Sequence, residues 1–229
     1  MTPTLSQRLA SEALGTAFLL AIVVGSGIMA ERLAGGNMAV ALLANTLATG
    51  AGLVALILTF APISAHFNPV VTLLAAMQKE MHWRDAPAYV VVQCIGALAG
   101  VAAAHIMFGH ALFTASTKIR ASAGEIFAEA VATFGLLLVI ASVAKHRAAA
   151  LPYAVAAYIT AAYWFTASTS FANPAVTMAR AVTESFAGIR VADAPAFMLA
   201  QLAGMVAALV VIQFLLGTQV ADSRKRGRV

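Results

Sequence analysis

Asn68-Pro69-Val70-Val71-Thr72 and, 105 positions later, Asn173-Pro174-Ala175-Val176-Thr177 decide how this 229-residue chain is read. Asn is a favoured N-cap because its side-chain oxygen accepts an otherwise orphaned helical N–H. Pro suits the first helical position, where its missing N–H costs nothing. Each pentad therefore opens a short helix at its Asn. A single Asn-Pro reads as a loop or a kink. Two copies, each with Val-Thr at the same offset, read as one architectural element used twice.

The surroundings place that element in a bilayer. The chain is 62% hydrophobic and 10% charged, with a mean hydropathy of +0.89. Soluble domains are about 25% charged. Six apolar runs, at about 9–30, 38–60, 86–108, 125–144, 150–168 and 194–217, are each near the ~20 residues of a membrane span. This excludes a soluble enzyme, a nucleic-acid binder and a disordered scaffold. The pI near 9.8 does not revive nucleic acid as a partner, because Arg224, Lys225, Arg226 and Arg228 crowd a basic tail over 219–229. The first run reads as a span rather than a signal peptide: it is long, carries Glu12 and lacks a polar cleavage region. A lone cysteine, Cys94, leaves no disulfide framework. The stretches around 62–82 and 169–190 hold the Asn-Pro pairs and are too short to cross. They read as re-entrant, lining a cavity or packed inside protein.

The two halves repeat. Ser11-Glu12-Ala13-Leu14-Gly15-Thr16 matches Ala128-Glu129-Ala130-Val131-Ala132-Thr133, and Ala86-Pro87-Ala88-Tyr89 with Gln93 and Gly96 matches Ala194-Pro195-Ala196-Phe197 with Gln201 and Gly204. Three spans per unit is an odd number, so the second unit enters from the opposite face. A single channel domain over 1–229 is expected, with repeat 1 over about 8–110 and repeat 2 over about 125–218. Nine basic residues fall on the side of the termini and five on the other, which places both termini in the cytoplasm. Two short helices meeting N-terminus to N-terminus bring about half a positive charge each to the midplane. Cations and protons are repelled there, while the Asn amides donate to a neutral solute.

These paired motifs resemble those of the aquaporin/aquaglyceroporin, or major intrinsic protein, family over the whole chain. Ile63-Ser64-Ala65-His66-Phe67-Asn68-Pro69-Val70-Val71-Thr72 is similar to the family's first pore loop, one residue shorter and with Val70 where Ala is usual. The resemblance implies an all-α membrane fold of six spans plus two re-entrant half-helices in two inverted repeats. It also implies a homotetramer with one pore per subunit, and passive conduction without cofactor or metal.

The chain departs from that pattern at Val176, where most members carry the Arg of the outer constriction. Its loss removes a permanent charge and several donors. The remaining filter positions fall at Ala48 or, allowing for the shorter loop, Thr49; at Ala161 or Ala162; and at Ser170 or Phe171. The set Thr49, Ala161, Ser170 and Val176 is mostly small and predicts a wide filter. Arg180 lies four residues past Val176 on the same helix face and leans back toward it. It reads either as a displaced filter cation or as an interfacial Arg, facing headgroups or paired with Glu184. Val in place of the Arg resembles a bacterial subgroup associated with arsenic detoxification, which implies arsenite-type neutral acids among the solutes.

Glu12 and Glu129 are ionisable groups in spans and therefore functional candidates. Their symmetric placement reads as structural support for the pore loops, as does His66, for which a pH gate is the alternative. His105 and His110 lack ligand-spaced partners for a metal. Gly15, Gly96, Gly100 and Gly204 fit close helix approach, Cys94 fits packing, and Trp83 and Trp164 fit interfacial anchoring. A passive channel for water, glycerol-like polyols and arsenite-type acids is the first functional reading. An orthodox water pore and a proton-coupled secondary transporter are the alternatives, and an intramembrane enzyme lacks a catalytic constellation.

Overall fold

The computed structural model describes residues 2–217, so the basic tail at 219–229 lies outside the described residues. Eight α-helices carry the described chain: α1 (Leu5–Leu33), α2 (Met38–Phe60), α3 (Pro69–Met77), α4 (Ala86–Phe108), α5 (Ala123–Arg147), α6 (Leu151–Phe165), α7 (Pro174–Arg180) and α8 (Ala194–Leu216). The six apolar runs became the six long helices. The two Asn-Pro stretches became the half-helices α3 and α7. Single 3-10 turns at Trp83–Asp85 and Ala148–Ala150 lead into α4 and α6.

The helix starts follow from local chemistry. Thr4 with Gln7 and Ser122 with Glu125 form capping boxes on α1 and α5, the first helix of each half. Asn37 caps α2 through its side-chain oxygen, and Pro occupies the first turn of α3, α4, α6, α7 and α8.

Packing pairs α1 with α4 and α2 in one half, and α5 with α8 and α6 in the other; α2 against α6 joins the halves. Glycine sets the closest of these approaches. A Cβ on Gly96 would lie 2.3 Å from the carbonyl oxygen of Ala13, and one on Gly204 would lie 2.3 Å from that of Ala130. Without large side chains between them, backbones gain van der Waals contact that bilayer hydrophobicity does not supply. The burial pattern is that of a membrane protein. Phe18, Leu47, Ile95, Phe127, Leu199 and Phe214 face outward, whereas Glu12, Gln93, Glu129 and Gln201 are fully enclosed. Trp83 and Trp164 are exposed near helix ends, where interfacial anchors belong.

Candidate functional site: a pore between two half-helices

Each half-helix begins at its Asn, whose backbone is extended (φ −156° at Asn68, −160° at Asn173). Asn68 Oδ1 accepts the Val70 amide at 3.1 Å; Asn173 Oδ1 accepts those of Ala175 and Val176 at 3.0 and 3.2 Å. The amide nitrogens reach across the midplane. Asn68 Nδ2 donates to the Ala172 carbonyl and Asn173 Nδ2 to the Phe67 carbonyl, both at 2.8 Å. A carboxamide carries two N–H groups. Each Asn therefore holds the opposite loop with one and keeps the other for the cavity that both side chains line. Pro69, Val70, Pro174 and Ala175 form the first turns behind them, with Val70 and Ala175 fully buried.

The residues just before the two Asn, Phe67 and Ala172, sit in the left-handed region (φ 53° and 48°). Non-glycine residues persist there only when neighbours over-determine them. Glu12 and Glu129 do so. Glu12 Oε1 accepts the His66 amide (2.7 Å) and the Ser64 hydroxyl (2.6 Å), and Oε2 accepts the Phe67 amide (2.7 Å) and Gln93 Nε2 (2.9 Å). Glu129 Oε1 accepts the Phe171 amide (2.8 Å), and Oε2 accepts the Ala172 amide (2.8 Å) and Gln201 Nε2 (2.6 Å). Each Gln also donates to the threonine four residues past its Asn, Thr72 at 2.9 Å and Thr177 at 2.8 Å. Both carboxylates are thus occupied by backbone and amide donors. Gln93 and Gln201 hold this network together, and their sequence signal is a Gln six residues after the proline of Ala-Pro-Ala in an apolar run of each half.

A cavity of about 240 Å³ lies between the loops. Its wall is apolar along Leu53 and Ile57 of α2, Leu136 and Ile140 of α5, and Leu151, Val155 and Ile159 of α6. Polar groups punctuate it: Gln78 and Glu80 past the end of α3, then His66, Asn68 and Asn173 in the middle, then Ser170 and Arg180 on the second loop. From Leu151 to Tyr163 the α6 stripe spans twelve steps, or roughly 18 Å of helix. His66 Nδ1 pairs with Thr72 Oγ1 at 3.1 Å, its ring lies 5.5 Å from that of Tyr89, and it too lines the cavity.

The filter positions need one correction. Thr49, Ser170 and Val176 face the cavity, but Ala161 is exposed on the outside of α6. The inward stripe of α6 runs Val155, Ile159, Tyr163 at intervals of four, and Ala161 stands two residues off it, about 200° around the helix. Tyr163 lines the cavity there instead, its hydroxyl 3.4 Å from Thr49 Oγ1. Ala162, the other candidate, is buried but does not line the cavity. Phe171 also faces in. This end of the cavity therefore carries two aromatic rings rather than the small residues expected there.

Arg180 is 2% exposed and lines the cavity one turn beyond Val176. Its guanidinium carbon lies 3.4 Å from the centre of the Phe171 ring, and its Nε donates to the Ala187 carbonyl. This is not an interfacial Arg facing headgroups. The Glu184 pairing is absent as well: Glu184 accepts the amide and hydroxyl of Thr117 at 2.5 and 2.9 Å. Behind Phe171, at 5.1 Å from the same ring, is the guanidinium of Arg120, tied to the carbonyls of Gly188 and Ser168 at 3.0 Å each. Sequence reasoning missed Arg120 and Tyr163, since neither lies in the Asn-Pro motifs.

Six spanning helices enclosing two half-helices that meet at paired asparagines define a membrane channel rather than an enzyme. The chain belongs to the major intrinsic protein family, whose profile matches residues 1–159. It is 50% identical over 213 residues to aquaglyceroporin AqpS of Rhizobium meliloti (strain 1021), covering 93% of this chain and 91% of that protein. It is 35% identical over 147 residues to aquaporin NIP1-4 of Oryza sativa subsp. japonica, covering 63% of this chain and 52% of that protein. Its fold is similar to the X-ray structure of the aquaglyceroporin from Plasmodium falciparum, with a TM-score of 0.67, 22% identity, and 92% and 95% of the two chains covered. It is a multi-pass membrane channel for small neutral solutes.

Proposed function

We propose that this channel passes glycerol-like polyols and neutral metalloid acids of the arsenite type together with water. Its outer filter is formed by Thr49, Tyr163, Ser170, Val176 and a displaced Arg180. The observation that carries this reading is the mixed wall of the cavity. Aliphatic side chains from α2, α5 and α6 share its lining with the hydrogen-bonding groups His66, Asn68, Asn173, Ser170 and Arg180. A polyol has one carbon face and one hydroxyl face, and such a wall desolvates both without leaving either unpaired. Arsenous acid near neutral pH is uncharged and similar in shape to glycerol, so the same wall suits it.

Around that pore the proposal is a single channel domain over 1–229, with repeats over about 8–110 and 125–218, both termini cytoplasmic, assembled as a homotetramer. The support for the repeats is the matched Glu–Gln–Thr network in each half. Support for the orientation is the excess of basic residues on the side of the termini. Exposed apolar helix faces support contacts with lipid or a second copy.

A second reading, an orthodox water pore, is favoured by Tyr163 and Phe171 at the outer end, which narrow it relative to a filter of small residues. Stopped-flow light scattering on proteoliposomes, challenged separately with sorbitol, glycerol and arsenite, separates the two. Reswelling with glycerol and arsenite, altered by Arg180→Ala and slowed by Val176→Arg, is the expected result. Water flux alone, indifferent to both substitutions, would establish the orthodox pore.

A further inference from the structure

The outer end of the pore holds more donors than acceptors. Among the described residues no carboxylate lies within 4 Å of the Arg180 guanidinium. Its Nε is spent on the Ala187 carbonyl, and its terminal nitrogens have no protein acceptor among the described residues. Ser170 is 3% exposed and adjacent in sequence to the ring on which Arg180 lies; it lines the same cavity, and its buried hydroxyl has no partner. Two further cations stand behind: Arg120 on the same Phe171 ring, and Lys118, whose Nζ donates to the Phe186 carbonyl at 2.7 Å.

The nearby carboxylates are turned away from the pore. Glu129 is saturated by the Phe171 and Ala172 amides and Gln201, Glu184 by Thr117, and Glu31 accepts the Phe186 amide at 3.2 Å. The acid that does line the cavity, Glu80, lies past the end of α3, beyond the inner half-helix. A desolvated guanidinium without a counter-ion is costly, and its fork of N–H groups matches a planar oxyanion better than any other partner.

We propose that Arg180 and Ser170 form a binding site for a small, planar, monovalent oxyanion at the outer end of the pore. The bound anion occupies the free guanidinium edge and the Ser170 hydroxyl and competes with neutral solutes for entry. Phe171 fixes the plane of the guanidinium, and Arg120 and Lys118 add field without touching the ligand. This rests on the filter assignment of Arg180 and Ser170 given above.

The test uses purified protein in liposomes and nitrate as the probe, with chloride at equal ionic strength as the control, since chloride has the charge without the planar oxygens. Nitrate should slow glycerol-driven swelling in a dose-dependent way that chloride does not reproduce. Each variant is normalised to its own nitrate-free rate. Arg180→Gln should then raise the half-inhibitory concentration roughly tenfold and Ser170→Ala roughly threefold. Indistinguishable effects of nitrate and chloride on wild type, or equal nitrate inhibition in both variants and wild type, would overturn the site. Should the protein pass water but no glycerol, the solute reading fails alone, and nitrate is then scored against water flux. Should Arg180→Gln not assemble, Ser170→Ala decides together with the unfolding midpoint, which nitrate should raise over chloride in wild type and less in the variant.

Discussion

The two pore loops have one skeleton and two chemistries. Shifted by 105 positions, Asn68 falls on Asn173, Thr72 on Thr177 and Val71 on Val176, and the carboxylates, glutamines and threonines behind them make matching hydrogen bonds. The same shift puts His66 on Phe171 and Ala75 on Arg180, and all four line the cavity. On the first loop an imidazole and a methyl group line the cavity; on the second a ring carries a guanidinium. The scaffold is thus duplicated where it holds backbone in place and diverges where side chains meet the permeant. The difference in polarity between the two loops follows from a few pairs of positions, Ala65 and Ser170 among them, not from the fold.

The symmetric part makes the largest predictions. Gly96→Leu and Gly204→Leu each drive a side chain into a carbonyl oxygen already 2.3 Å from the missing Cβ, so neither α1–α4 nor α5–α8 can close. Both variants should fail to yield a monodisperse peak in detergent size-exclusion chromatography. A tolerated Gly204→Leu beside a lethal Gly96→Leu would break the equivalence. Glu12→Gln and Glu129→Gln are milder. Each presents an amide to buried backbone donors and leaves at least one unsatisfied, a loss of about 1–3 kcal/mol per orphaned group. Thermal unfolding should show similar drops for the two, slightly larger for Glu12 because it also holds Ser64 at 2.6 Å.

How much was legible in the sequence divides along the same line. The spans, the half-helices and the paired Asn-Pro caps were readable because length, hydropathy and capping chemistry are local, and a duplicated motif checks itself. The filter position on α6 was not, because which face of α6 looks inward depends on how α2 and α5 rotate it. Ala161 and Tyr163 are two residues apart, and local pattern alone does not choose between them. Arg180 was readable as a competitor for the pore through its spacing from Val176, but its burial against Phe171 depends on the chain returning at Ala187. Arg120 lies in a long connection between α4 and α5, where no periodicity constrains a reading.

A smaller effect sharpens the contrast at the outer end. Lys118 lies outside the spans, and burial, aided by Arg120 and Arg180, pushes its ammonium down to about 8; Glu31 and Glu184 act in the opposite sense. Its charge is therefore full below that pH and lost as pH rises through it. The guanidiniums keep their charge over this range, and nitrate stays an anion. Nitrate competition should weaken between pH 7 and 9 in wild type. In Lys118→Gln it should start weaker and stay flat. A wild-type profile without slope would show that Lys118 contributes no field to the pore.

The smallest difference lies where the half-helices end. At the end of α3 the chain closes a Schellman motif, with Glu80 N donating to the Ala75 carbonyl at 2.9 Å and Lys79 N to that of Ala76 at 3.2 Å. That motif wants a left-handed residue at Lys79, and its φ is 64°. The end of α7 needs none: Ala181 stays right-handed at φ −73°, and the amides of Ala181 and Val182 bond back three residues. Lysine at a glycine position costs on the order of 1 kcal/mol in backbone strain, and glycine returns part of that gain as extra entropy of the unfolded chain. Lys79→Gly should therefore stabilise by a few tenths of a kcal/mol, whereas Ala181→Gly, with no strain to relieve, should destabilise by roughly 0.5–1 kcal/mol. Opposite signs in thermal unfolding would confirm that the two half-helices terminate by different means; the same sign would place the asymmetry in side chains alone.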